Sequence, residues 1–119
     1  ENIFVELEKY NIPNKILLRA DGTSVYITQD LVLAQLKYKD FKMDKSIFIV
    51  GSEQKLHFIQ LFKILELIGF KNFDGCYHLA YGMIALPEGR MKSREGTVVD
   101  ADDLIEKVQV LVHKILLKI

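Results

Sequence analysis

The sequence predicts an α/β fold with a mainly parallel sheet, and three observations carry that prediction. Ser46-Ile47-Phe48-Ile49-Val50 is a continuous apolar run of strand length, as a strand covered on both faces would show. An amphipathic segment follows from about Glu53 to Ile68, and a second strand-like run follows at Cys76-Tyr77-His78-Leu79-Ala80-Tyr81. Strands alternating with helices of this length imply layers of helix on a parallel sheet, where ligands bind beyond the carboxyl ends of the strands.

From the N-terminus, Ile3 to Tyr10 is a short mixed stretch with apolar residues at 3, 4, 5 and 7. It reads equally as a single helical turn or an edge strand, and Asn11-Ile12-Pro13-Asn14 breaks it. Lys15 to Arg19 and Ser24 to Thr28 are β-prone runs separated by Ala20-Asp21-Gly22-Thr23. Asp-Gly between such runs signals a turn, so these two runs are expected to form an N-terminal hairpin. Thr28 has the residue type of an N-cap. It would put Gln29 and Asp30 in the first turn of a helix running through Leu31, Ala34, Gln35 and Tyr38 and ending near Asp40.

In the helix from about Glu53 to Ile68, positions 58, 61, 62, 65 and 68 are apolar. Gln60, Lys63 and Glu66 fall on another face, and Gly69 supplies the stop. Gly82 breaks the strand that ends at Tyr81, and Met83 to Leu86 carries the chain into a basic loop. Asp100 can cap a last helix with Asp103 near its third position, and Leu104, Val108, Leu111 and Ile115 make the stripe expected to be buried.

The loop from Leu86 to Val99 has the composition of a segment built to meet polyphosphate. Gly89 and Gly96 are hinges, Pro87 stiffens its start, and Arg90, Lys92 and Arg94 alternate with other residues. Such cations can neutralise charge that spreads over a phosphoryl group during transfer. The same composition also suits a solvated surface loop.

With 119 residues, half of them apolar, one core and one domain are expected. Lys plus Arg equals Asp plus Glu at 16 each, a balance that argues against a stand-alone nucleic-acid binder. The single cysteine, Cys76, excludes an internal disulfide framework, suits a reducing and hence cytoplasmic compartment, and reads as a small buried apolar residue. No apolar run approaches the roughly 18 to 20 residues needed to span a bilayer, and no secretion signal is recognisable, so no membrane role is expected. The chain starts at Glu1 without a methionine and reaches Ile119 inside a helical pattern without a stop, so it reads as a piece of something larger.

Three stretches, in order, carry a family resemblance: Asp21-Gly22-Thr23-Ser24-Val25-Tyr26-Ile27-Thr28-Gln29-Asp30-Leu31; Val50-Gly51-Ser52-Glu53-Gln54 with His57-Phe58; and Gly89-Arg90-Met91-Lys92-Ser93-Arg94-Glu95-Gly96-Thr97-Val98-Val99. Together they resemble arginyl-tRNA synthetase, a class I aminoacyl-tRNA synthetase, and archaeal-type members most closely, over about residues 16 to 106. The resemblance implies the second half of a Rossmann-type nucleotide-binding catalytic domain, as a single partial domain over residues 1–119. The N-terminal half, the anticodon-binding domain and the N-terminal tRNA-binding domain would lie elsewhere. The loop that the class writes Lys-Met-Ser-Lys-Ser reads Arg90-Met91-Lys92-Ser93-Arg94 here, so only the methionine matches strictly. Which of Arg90, Lys92 and Arg94, the catalytic cations, reaches the ATP phosphates stays open.

By the same resemblance, Tyr26 and Asp30 match the tyrosine and aspartate that line the family's arginine side-chain pocket. A carboxylate can accept paired N–H bonds from a planar guanidinium, which separates arginine from lysine by geometry. Gln54 matches a glutamine near the backbone end of the bound amino acid. His78, Gly82 and Met83 correspond to the segment beside the adenosine of ATP, and Met91 and Ser93 belong to the ATP-binding loop. Without the resemblance, Tyr26 packs, Asp30 offsets a helix dipole, Gln54 is an exposed first-turn residue and His78 is a satisfied core histidine. His57 and His113 read as structural or solvated, without partners at metal-ligand spacing, so no protein-bound metal or organic cofactor is expected.

The implied reaction is attack by the carboxylate of arginine on the α-phosphorus of ATP, which brings its Mg2+, expelling pyrophosphate. Transfer of arginine to tRNA(Arg) follows, with no protein nucleophile. The class also needs a His-x-Gly-His element that the histidines at 57, 78 and 113 cannot form, so the chain alone is expected to be inactive. Two alternatives are a non-catalytic α/β binding module and another class I nucleotidyltransferase with a different substrate.

Overall fold

The computed structural model describes residues 1–82, 85–86, 89–90 and 100–117, in two compact units, Glu1–Met83 and Ile84–Ile119. In the first, strand β1 (Ile3–Val5) is followed by a 3-10 turn at Glu8–Tyr10, so the N-terminal stretch is both of the alternatives its sequence allowed. The break after it is tied back by Asn14, whose Oδ1 accepts from the Leu7 and Glu8 backbone N–H groups at 2.7 and 3.3 Å. Strand β2 (Lys15–Leu18) pairs antiparallel with β1, matching Phe4 to Ile16 and Val5 to Lys15.

The N-terminal hairpin therefore exists, but β1 takes the place expected for Ser24 to Thr28. The Asp-Gly turn does form, with Gly22 at φ +83° and Asp21 Oδ1 accepting from the Thr23 N–H and hydroxyl at 2.9 and 2.7 Å. Those two bonds, the backbone one first, hold the Asp21 carboxyl below its usual range. Only a single bridge, Leu18 to Ser24, follows the turn before the chain becomes helical.

Helix α1 (Tyr26–Phe41) begins two residues before Thr28, with extended Val25 at its cap position. Thr28 does not cap it; its hydroxyl donates to the Leu17 carbonyl at 2.5 Å. The reason is the helical spacing of Ile27, Leu31 and Ala34, all buried in the core. Strand preference spans only about 1 kcal/mol, whereas burying one isoleucine is worth about 1.5–3 kcal/mol, so tertiary packing wins over the β-branched run.

Strand β3 (Ser46–Gly51) leads through a 3-10 turn, Ser52–Gln54, into helix α2 (Lys55–Leu67). Gly69, at φ +75°, stops α2 as expected, its N–H donating to the Glu66 carbonyl at 3.0 Å. Strand β4 (Cys76–Tyr81) runs parallel to β3, in register from Ser46 beside Cys76 to Gly51 beside Tyr81. Helices α1 and α2 bury Ile27, Leu31, Ala34, Phe58, Leu61, Ile64 and Leu65 together with Leu7, and Phe48 and Val50 of β3 pack against that cluster. The other face of β3 carries Ile47 and Ile49, 57% and 68% exposed, so the strand is covered on one face among the described residues, not two.

Gln60 also departs from its expected polar face. It is 3% exposed and donates from Nε2 to the Pro13 carbonyl at 2.8 Å, which satisfies the buried amide and fixes the 11–14 break against α2. Cys76 is half-buried rather than buried, its Sγ 3.6 Å from the Asn72 carbonyl. Burial first, and Asp74 second, push its thiol up, away from the reactive thiolate.

In the second unit, the short strands β5 (Ala85–Leu86) and β6 (Gly89–Arg90) pair antiparallel. Helix α3 (Ala101–Leu116) is capped as expected by Asp100, whose side chain accepts from the Asp102 N–H at 2.9 Å. Asp102 and Asp103 lie in its first turn and His113 and Lys114 in its last, the arrangement that complements the helix dipole. The apolar stripe is not buried as expected: Leu104 is half-buried, and Val108, Leu111 and Ile115 are exposed. No described helix is long and apolar enough to cross a membrane.

Candidate functional site

Four elements of the first unit meet at a cleft of about 410 Å³ beside the carboxyl end of β3. Phe48 and Val50 of β3, Leu33 of α1 and Phe58 of α2 form its apolar walls. Tyr26, Asp30 and Lys37 of α1, Gln54 of the 3-10 turn and His57 of α2 supply the polar groups. Apolar walls with a few converging polar side chains are the usual make-up of a small-molecule site. A larger hollow of about 560 Å³ lies along α1 between Ser24 and Leu36, but it contains neither Tyr26 nor Gln54. The convergence of polar groups, rather than size, selects the smaller cleft.

Tyr26 and Asp30 share one face of α1 because they are one helical turn apart. Tyr26 is not a core residue: it is 82% exposed, an aromatic ring left at the rim of the cleft. Gln54 is exposed at the start of α2 and still lines the cleft, so its place agrees with both readings of it. Asp30 accepts a hydrogen bond from His57 Nε2 at 2.7 Å, with side chains 34% and 17% exposed, respectively. The Lys37 ammonium does not pair with Asp30; it sits over the Phe48 ring, 4.8 Å from its centre.

His57, read from the sequence as structural or solvated, is mostly buried, lies in the cleft and bonds to Asp30. A signal was available, since His57 follows Gln54 by three residues, the spacing that puts two side chains on one helix face. His78 does not line this cleft. It stacks on Phe58 with ring centres 4.2 Å apart, and its Nε2 donates to the Val50 carbonyl at 2.9 Å.

Gly82 follows β4, and a Cβ placed there meets nothing within 4 Å among the described residues. Arg90 is in β6. Met83, Met91, Lys92, Ser93 and Arg94 lie outside the described residues.

With the fold and cleft in view, comparison with known proteins gives a single direction. The family described as tRNA synthetases class I (R), catalytic domain, matches residues 2–116. The chain belongs to this family. Among curated relatives, the arginine–tRNA ligase of Treponema denticola is 52% identical over 108 residues, covering 91% of this chain and 18% of that protein. The arginine–tRNA ligase of Amoebophilus asiaticus is 53% identical over 107 residues, covering 90% of this chain and again 18% of the relative. The solved Thermus thermophilus arginyl-tRNA synthetase superposes with a TM-score of 0.55 at 20% identity, covering 87% of this chain and 22% of that one, a likeness of fold.

The chain thus spans less than a fifth of the length of these curated relatives. As a member of the class I synthetase family, it carries an α/β piece of a catalytic domain, with its parallel strands and flanking helices as the class fold requires.

Proposed function

We propose that this chain is the C-terminal half of the catalytic domain of an arginine–tRNA ligase, working as part of a longer cytoplasmic protein. The observation that carries the reading is the meeting of Tyr26, Asp30 and Gln54 in one cleft. Those are the three positions that the family resemblance assigns to arginine, and they come from α1 and the 3-10 turn that leads into α2. Asp30 accepts the guanidinium, Tyr26 supports it from the rim, and Gln54 contacts the α-amino end.

The rest of the reaction is read from the family resemblance. The arginine carboxylate attacks the α-phosphorus of ATP, pyrophosphate leaves, and the arginyl group passes from the adenylate to the terminal hydroxyl of tRNA(Arg). Arg90, Lys92 and Arg94 compensate charge on the phosphates, with Met91 and Ser93 completing that loop. His78, Gly82 and Met83 form the segment beside the adenosine, and Mg2+ arrives with ATP as substrate. Catalysis of this kind is positioning plus electrostatic stabilisation, with no covalent protein intermediate.

Competition in the full-length protein separates this reading from a nucleotidyltransferase with another substrate. With arginine, lysine and glutamine offered together, ATP–pyrophosphate exchange is expected to depend on arginine alone, and the chain by itself is expected to show none. Exchange supported equally by lysine would overturn the arginine assignment, since it would mean that charge rather than guanidinium geometry is read. Arginine-dependent exchange by the chain alone would overturn its place as half of a site.

A further inference from the structure

We propose that His57 is the positioning residue that presents the Asp30 carboxylate to the guanidinium, an inference that rests on the arginine-pocket reading above. Asp30 belongs to α1 and His57 to α2, 27 residues apart in sequence, and their side chains meet at 2.7 Å inside the cleft. An ionised carboxylate only accepts hydrogen bonds, so the bond fixes the proton on Nε2 of the ring. It engages Oδ2 alone. A carboxylate has about four lone-pair sites, so this contact leaves Oδ1 and part of Oδ2 for a bidentate partner while removing the freedom of the side chain to turn away.

The ring that does this is itself held. Its edge meets Phe58, with centres 5.3 Å apart at 84°. Phe58 is buried and stacks on His78, which donates to the carbonyl of Val50 in β3. The Asp30 carboxylate is thereby referenced to the sheet through α2, rather than to the flexibility of its own side chain on α1. No other described side chain bonds to Asp30, and the nearby Lys37 is engaged with Phe48. A held carboxylate binds a planar ligand at lower entropic cost than one that must first be ordered.

The test uses the full-length ligase and compares substitutions that keep or remove a donor at the Nε2 position. The amide nitrogen of His57→Gln reaches that position, whereas that of His57→Asn falls short and the ring of His57→Phe keeps the packing without a donor. His57→Phe and His57→Asn are expected to raise KM for arginine by roughly tenfold or more, as loss of a hydrogen bond to a charged group implies, with kcat and KM for ATP within about twofold. His57→Gln is expected to recover most of that loss. In an Asp30→Asn background, His57→Phe is expected to add nothing further, because its effect acts through the carboxylate.

KM for arginine unchanged in His57→Phe while Asp30→Asn raises it would overturn the role of His57 alone. No effect of Asp30→Asn would overturn the pocket reading and this inference with it. Equal losses with His57→Gln and His57→Asn, matched by loss of ATP binding, would assign His57 to general packing instead and contradict the proposal.

Discussion

Replacing Asp30 with asparagine in the full-length protein is expected, on the proposed function, to lower kcat/KM for arginine in ATP–pyrophosphate exchange by about 100-fold, on the order of 2.7 kcal/mol, while leaving KM for ATP near its original value. Asparagine has the shape of aspartate but only one acceptor oxygen and no charge. In this cleft that oxygen is claimed by two sets of donors, the incoming guanidinium and His57 Nε2, and its amide N–H groups oppose whichever is left. The loss is expected to fall mainly on arginine recognition, since Asp30 is one-third exposed and stands outside the buried apolar cluster. A kcat/KM for arginine within about threefold of the parent would remove Asp30 from the pocket, a change of only about 0.7 kcal/mol.

The largest structural effect is expected at Gly75, which joins a 3-10 turn to the first residue of β4. A Cβ there would overlap the Asp44 carbonyl oxygen and come within 3.3 Å of its carbon and 3.6 Å of the Lys45 Cα. These are backbone atoms just ahead of β3, at the end of the pair where Ser46 is in register with Cys76. No side-chain rotation relieves that overlap, so Gly75→Ala must move the turn or the strand start, at about 2–3 kcal/mol. Gly82→Ala is the control: its Cβ meets nothing within 4 Å among the described residues, and its cost is expected to stay within about 0.5 kcal/mol. Denaturant unfolding of the two variants measures the difference. Equal midpoints would mean that the β3–β4 start yields more easily than its packing implies.

The parts of the fold legible in the sequence are those whose signal is local. The apolar run at 46–50, the strand at Cys76–Tyr81, the Gly69 stop and the Asp100 cap all depend on neighbouring residues and stand where expected. The misses come from partners distant in sequence or from a competing period. Ser24 to Thr28 has strand-forming composition, yet Ile27 also begins the helical series Ile27, Leu31, Ala34, and burial of that series decides the outcome. Gln60 looks like a surface residue until its partner, the Pro13 carbonyl 47 residues away, is known. Among the described residues the cover expected on both faces of β3 is found on one, because both helices of the unit pack on the side of Phe48 and Val50.

The candidate site divides the same way. The four-residue spacing of Tyr26 and Asp30 puts them on one face of a helix, and the family resemblance supplied their meaning. What spacing could not supply is the meeting of α1 with α2 that closes the cleft, and with it the bond from His57 to Asp30.

A structure of the full-length protein with arginine bound tests the central claim most directly. The account predicts the guanidinium within hydrogen-bond distance of Asp30 beside Tyr26, the α-amino end toward Gln54, and Oδ2 of Asp30 still held by His57. Arginine bound away from this cleft, with Asp30 facing solvent, would contradict it.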